Sequence, residues 1–441
     1  FLFVLLVLFF FVFFFFCFSF SSSFLCCFFV FFFFSFLLSA CVKSDSLNGT
    51  KQDKVTDLKI PAGFDWKTSV DIRCDFTSQH DSRIYVALSP KAAPFASFMV
   101  GEGVDQVTLN VPAAAKTLYV QYETENGLSA MQELPLLEGV VSYRVPADSK
   151  EYIAGVTAIP GSTDEKPNAD RKDNVIYYPA NGWGTLMFED LWPEYGDYDL
   201  NDLVANFKVQ LYIDKKNKVE AILVGVRINA VGGIFPYEFY LHLMGVKSTD
   251  IDEIVPYNSV NASPSCDFVA VKPANGDDAL FLFKEVKNNA NCPAGGQYLN
   301  TEPGYEMAEK DLVEVAYMLY LKDPLPLNKV LYDSFDFFIG NSSVRKEIHI
   351  NGYKPVLFDQ VTYVKYRNES SNTDKSNDFY TSNTHLIWGI KVPAAIPHAY
   401  EKVEFTLAYP NFAAWAQSGG KQCQNWYENT GNNRVSSKLI P

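Results

Sequence analysis

Histidine is scarce in this chain. Its five residues, His80, His242, His349, His385 and His398, are scattered, so no H-E-x-x-H or similar close-spaced pair is available to hold a catalytic zinc ion. No G-x-S-x-G, phosphate-loop or dinucleotide fingerprint occurs either, which removes the usual signatures of serine hydrolases, NTPases and dehydrogenases. Positive charge is in deficit, with 37 Lys+Arg against 51 Asp+Glu and a formal net charge of −14. That balance does not suit a nucleic-acid backbone, so no nucleic-acid partner is expected. None of the eight cysteines forms a C-x-x-C pair, and residues 1–40 contain no charged side chain at all.

What those first forty residues do contain is Phe, Leu, Val, Ser and Cys, including about half of the 37 phenylalanines. They end in Leu38-Ser39-Ala40-Cys41, an apolar run closed by small residues and a cysteine, which looks like a bacterial lipoprotein signal with Cys41 as the lipidated residue. The run begins with Phe, lacks a Lys/Arg n-region and exceeds the ~7–15 residues of an ordinary signal core, as a truncated or mistranslated upstream segment would. A spanning helix of about 20 apolar residues is the alternative; on either reading the remainder leaves the cytoplasm. The expected location is the cell envelope, as a surface-exposed outer-membrane lipoprotein whose membrane partner is reached through the N-terminal lipid. In such a compartment Cys266 and Cys292, which flank a strand-like run at 278–284, are candidates for a disulfide, with buried free thiols as the other possibility.

The most distinctive stretch is Phe188-Glu189-Asp190-Leu191-Trp192-Pro193-Glu194-Tyr195-Gly196-Asp197-Tyr198-Asp199-Leu200-Asn201-Asp202, followed at once by an apolar run. Carboxylates this close repel one another at neutral pH unless they are splayed into solvent, protonated or neutralised by an ion. Asp197, Asp199 and Asn201 set oxygens on every second residue, the spacing by which a tight loop wraps a Ca2+ ion needing about six to eight oxygen ligands. The loop is not an EF-hand: its sixth position is Asp202 where Gly belongs, and its twelfth is Lys208 where a bidentate Glu belongs. Glu189 and Asp190, returned by the bend at Pro193 and Gly196, and Asp202 are the remaining candidate ligands, with Glu194 at the margin. An ordinary Asx-rich turn is the plainer reading of the same residues.

The chain in order reads as a signal (1–40), the lipidated Cys41 with a polar tether (41–63), a first domain (64–158), a linker rich in Pro, Gly and charge (159–173) and a second domain (174–441). Short alternating runs with turn residues every eight to twelve positions predict a small immunoglobulin-like β-sandwich for the first domain. The second shows strand-like runs at 175–178, 184–188, 203–213, 219–230, 237–244, 280–283, 312–321, 335–339, 386–392 and 403–407, which predict a larger jelly-roll-like β-sandwich. Residues 409–420, with Pro410 near the start and Gly419 past the end, read as a helix. The expected fold class is all-β.

The acidic stretch, with Glu347-Ile348-His349-Ile350-Asn351-Gly352-Tyr353, Leu386-Ile387-Trp388-Gly389-Ile390-Lys391-Val392-Pro393 and Ala408-Tyr409-Pro410-Asn411-Phe412-Ala413-Ala414-Trp415, resembles the LruC-domain proteins from about residue 173 onward. The resemblance implies an exported bacterial lipoprotein, common in Bacteroidota, with an all-β domain whose acidic loop binds calcium. It implies no activity. The expectation is therefore a non-enzymatic protein acting in adhesion, ligand capture or envelope structure, with Ca2+ as its cofactor. Two other classes stay open. Trp183, Trp192, Tyr195 and Tyr198 beside the loop suit a carbohydrate-binding module holding a surface glycan or protein ligand, although core or turn packing is the preferred reading of these rings. A glycoside hydrolase would use two carboxylates of the cluster about 5–10 Å apart, one with a raised pKa.

Overall fold

Period-two and near-continuous apolar runs become strands, and the computed structural model is all-β with a few short helices. It describes residues 54–152, 174–257, 268–284, 295–370 and 378–440, and residues 53–441 form one compact unit. Cys41, Cys266, Cys292 and the expected linker lie outside the described residues.

The largest sheet runs, edge to edge, through Ile251–Pro256, Glu314–Pro326, Lys218–Ala230, Leu203–Ile213, Val175–Tyr178, Ala96–Val100, Ser82–Ala87, Thr117–Thr124 and Gly127–Leu128. Its central strands Leu203–Ile213 and Lys218–Ala230 are buried along nearly their whole length. Successive side chains point to opposite faces, so apolar residues at almost every position mean that both faces are covered. A three-stranded sheet (Asp105–Pro112, Ser69–Thr77, Val140–Arg144) packs on one end, with Phe76 stacked on Phe98 at 5.8 Å. A five-stranded sheet (Phe268–Val271, Asp278–Phe283, Glu238–Lys247, Phe335–Asn341, Lys346–Ile348) packs elsewhere, with Phe337 at 5.3 Å from Phe207.

Strand pairing crosses the boundary that composition suggested between two domains. Ala96 pairs with Ile176, Tyr177 N–H donates to Phe95 O at 2.8 Å, and Val175 N–H donates to Ser97 Oγ at 3.0 Å. One apolar core extends from Ile72 and Phe76 through Phe207 to Trp388.

Two local expectations need correction, and one helix comes in addition to those expected. Residues 54–63, expected as the end of a loose tether, are packed: Val55, Leu58 and Ile60 are buried against the C-terminal aromatic cluster. Residues 403–407 alternate like a strand, yet Phe405–Ala408 is one helical turn that buries Phe405 and Ala408 on a single side. A helix over Gln360–Glu369 went unread; Asp359 caps it by accepting the Thr362 N–H at 2.9 Å, satisfying a donor that a helix start otherwise leaves bare. The expected helix after Pro410 is present as Phe412–Gln417.

Candidate metal centre

The acidic stretch is the loop of a hairpin. Gly184–Phe188 pairs antiparallel with the start of Leu203–Ile213, with Phe188 opposite Leu203, so residues 189–202 must turn within the span of one strand separation. Tyr198 and Leu200 adopt positive φ of 54° and 55°. Such backbone is sparsely populated by residues other than glycine, and here the two left-handed residues alternate with Asp197, Asp199 and Asn201.

The loop turns Glu189, Asp190 and Asp199 inward and leaves Asp197 exposed at its rim. Glu189 is fully buried and Asp199 is 2 % exposed, and one oxygen from each of Glu189, Asp197 and Asp199 lies within 4.8 Å of the others. Ligands at about 2.3–2.6 Å from one calcium ion stand no more than about 5 Å apart, so the three meet that geometric condition. Backbone donors fix the carboxylates: Leu200 N–H donates to Glu189 Oε1 at 2.8 Å, Asn201 N–H to Asp199 Oδ1 at 3.2 Å and Lys402 N–H to Asp199 Oδ2 at 2.8 Å. Asp190 and Asp202 form a neighbouring pair, the Asp190 N–H donating to Asp202 Oδ2 at 2.7 Å. Glu189 Oε2 and Asn201 Oδ1 are buried with no hydrogen-bond partner. A buried oxygen in that state carries its full desolvation cost, and the deficit is what a hard cation satisfies.

Electrostatics register the same crowding. Burial, then Asp202 and Asp199, push the Glu189 carboxyl well above its ordinary range. Burial followed by Asp197 raises Asp199 to about 8, and burial followed by Asp190 raises Asp202 to about 8. Glu401, 200 residues away in the chain, joins the cluster: burial and then Asp197 raise its carboxyl, and it acts in turn on Asp199 and Asp202. The sequence offered no sign of Glu401, because nothing local marks a residue brought in by the C-terminal region.

Three glycines clear space for these oxygens. A Cβ at Gly196 would sit 1.9 Å from Glu189 Oε2; at Gly232, 2.3 Å from Asn201 Oδ1 and 3.1 Å from Glu401 Oε2; at Gly233, 2.2 Å from Asp190 Oδ2. Gly232 and Gly233 also donate their N–H groups to Asn201 O at 3.0 Å and Asp202 O at 3.1 Å.

The aromatic residues divide. Trp192 and Tyr198 are buried, the former stacked on Tyr363 at 5.3 Å, so neither offers a ring face to solvent. Trp183 is half-buried under Lys208 Nζ at 4.4 Å and Arg227 at 5.1 Å. Tyr195, also half-buried, stacks on Trp388 at 6.1 Å and hydrogen-bonds Thr384 at 3.0 Å. They form no common platform.

Comparison with known proteins adds the following. A family described as a domain of unknown function, DUF4842, matches residues 217–427, a span that includes Glu401 and leaves the acidic hairpin loop outside. The crystal structure of a Bacteroides ovatus protein provisionally described as a lipoprotein is similar, with a TM-score of 0.62 and 22 % identity over 81 % of this chain and 98 % of that one. At that identity the likeness speaks for the fold. No curated protein matches the chain.

Proposed function

We propose that this chain is an envelope lipoprotein, anchored through Cys41, whose β-rich body is locked by a calcium ion held at Glu189, Asp197 and Asp199, and that it acts in adhesion, ligand capture or envelope structure without catalysis. The observation that carries the ion is the fully buried, unpartnered Glu189 Oε2 beside two further carboxylates. The all-oxygen donor set suits a hard cation and no softer one. Asn201, whose N–H bonds Asp199, and Glu401, whose charge acts on Asp199, stand beside it, and Asp190 and Asp202 form the neighbouring pair. Support for the anchor comes from the Leu38-Ser39-Ala40-Cys41 ending and from the description of the structural relative. The LruC resemblance agrees with both.

A hydrolase reading is disfavoured because Glu189 and Asp199 are out of reach of a substrate, and a bound cation would oppose the raised pKa that an acid catalyst needs.

The test is thermal unfolding of residues 53–441 in calcium and in chelator. Calcium at about 100 times its Kd stabilises by about 2.7 kcal/mol, a rise of several degrees in Tm. Glu189→Gln and Asp199→Asn are expected to abolish that rise while leaving the chelated protein about as stable as before, since each replaces a carboxyl that burial already holds largely neutral at about pH 7 when no ion is bound. An unchanged Tm in millimolar calcium overturns the proposal.

A further inference from the structure

A cleft of about 1180 Å³ opens away from the acidic loop, and none of the candidate ligands lines it. One wall is the segment 63–69, the facing wall is the loop 350–356, and the floor is the strand Glu238–Lys247 at His242. Its volume lies just above the range of about 300–1,000 Å³ typical of small-molecule sites.

The chemistry of the lining narrows the ligand. On the floor, His242 lies between two carboxylates, with Nδ1 3.5 Å from the fully buried Asp336 and Nε2 3.8 Å from Asp278. Asp336 is held in turn by His349 Nδ1 at 2.9 Å, and His349 Nε2 by Glu347 at 3.0 Å, so the imidazole facing the cleft is backed by a rigid buried chain. On the wall, Asn351 Oδ1 is buried with no hydrogen-bond partner. Lys391 has directed its Nζ to the carbonyls of Tyr332 and Phe335, at 3.0 Å each, and Lys67 is paired with Asp333 at 2.7 Å. Asn351 Oδ1 therefore remains an open acceptor while these two ammonium donors are engaged, and Asp278, which accepts the Gly245 N–H at 3.1 Å, keeps lone pairs to spare. A ligand that fits brings O–H donors to these two side chains.

It must also be uncharged. Four aspartates and three lysines line the cleft, so an anion meets the aspartates, and an organic cation meets the lysines against an excess of only one negative charge, each at a desolvation cost. The half-buried rings of Phe64, Tyr353 and Phe379 add apolar surface to a polar pocket, the mixture of ring and hydroxyl recognition that a pyranose presents.

From this geometry we infer that the cleft between 63–69 and 350–356 is a binding site for a neutral saccharide, held through Asn351, Asp278 and His242. The inference is independent of the cation at the acidic loop.

The experiment is calorimetric titration of residues 53–441, in calcium and again in chelator, with glucose, galactose, mannose, N-acetylglucosamine and disaccharides of each. Choline and glucuronate serve as cationic and anionic comparators. At least one neutral saccharide is expected to bind, and Asn351→Ala and Asp278→Asn are each expected to weaken it about tenfold or more with Tm unchanged. Asp278 is partly exposed and Asn351 sits in a loop, so both variants fold. Three results overturn the inference: no neutral saccharide binds up to about 10 mM, choline or glucuronate binds more tightly, or both variants bind as the parent does.

Discussion

At Gly196 a single methyl group decides whether the acidic loop can close. Alanine there would place its Cβ 1.9 Å from Glu189 Oε2, and the buried Glu189 has no room to retreat. Gly196→Ala is expected to cost about 1–3 kcal/mol and to blunt the calcium response, read from urea midpoints with and without the ion. His349 gives a second residue-scale prediction. Burial lowers its pKa, but Asp336 and Glu347 together outweigh burial and raise it to about 9. A histidine raised in the folded state contributes fully below its unfolded pKa of about 6.5, and that stability is lost as pH rises through the folded value. The unfolding free energy should therefore fall between pH 6.5 and about 9, and His349→Gln should flatten this fall relative to the parent protein. His398 runs in the opposite direction. Burial lowers it to about 4, so its contribution is present at neutral pH and is lost as pH falls from about 6.5.

At the scale of elements, the N-terminal segment is more than a leader into the first strand. Trp66 is 3 % exposed and lies 5.7 Å from Trp415 and 5.8 Å from Phe412. Trp66→Ala is expected to cost about 3–5 kcal/mol, measured by equilibrium unfolding. Strands such as Leu203–Ile213 and Val175–Tyr178 were legible because apolar runs and turn residues mark them locally. Residues 360–369 were not, since Q-V-T-Y-V-K-Y-R-N-E has no helical stripe; the Asp359 cap and the burial of Tyr363 hold that helix. Phe405–Ala408 misled for the converse reason: V-E-F-T-L alternates, and the turn is set by tertiary bonds such as Phe405 N–H to Tyr198 O at 2.8 Å. The acidic hairpin loop announced itself through D-x-D-x-N. Glu401 and the two glycines at 232 and 233 could not, because their roles exist only once distant strands have met.

For the whole molecule, the sheet that runs through both expected domains and the core common to them predict a single cooperative transition for residues 53–441 in calorimetry. An early separate melt of 69–145 would show that the Ala96–Ile176 junction couples the two parts weakly. Val55 donates its N–H to Glu404, 349 positions onward, and Leu58 and Ile60 share a core with Trp415 and Trp426. A nascent chain cannot make these contacts while its tail is still being synthesised or threaded through a membrane. A stretch that leaves the ribosome early must wait for one made 349 positions later, and a product truncated between the two, however well its middle sheet forms, keeps that aromatic surface uncovered for proteases to find.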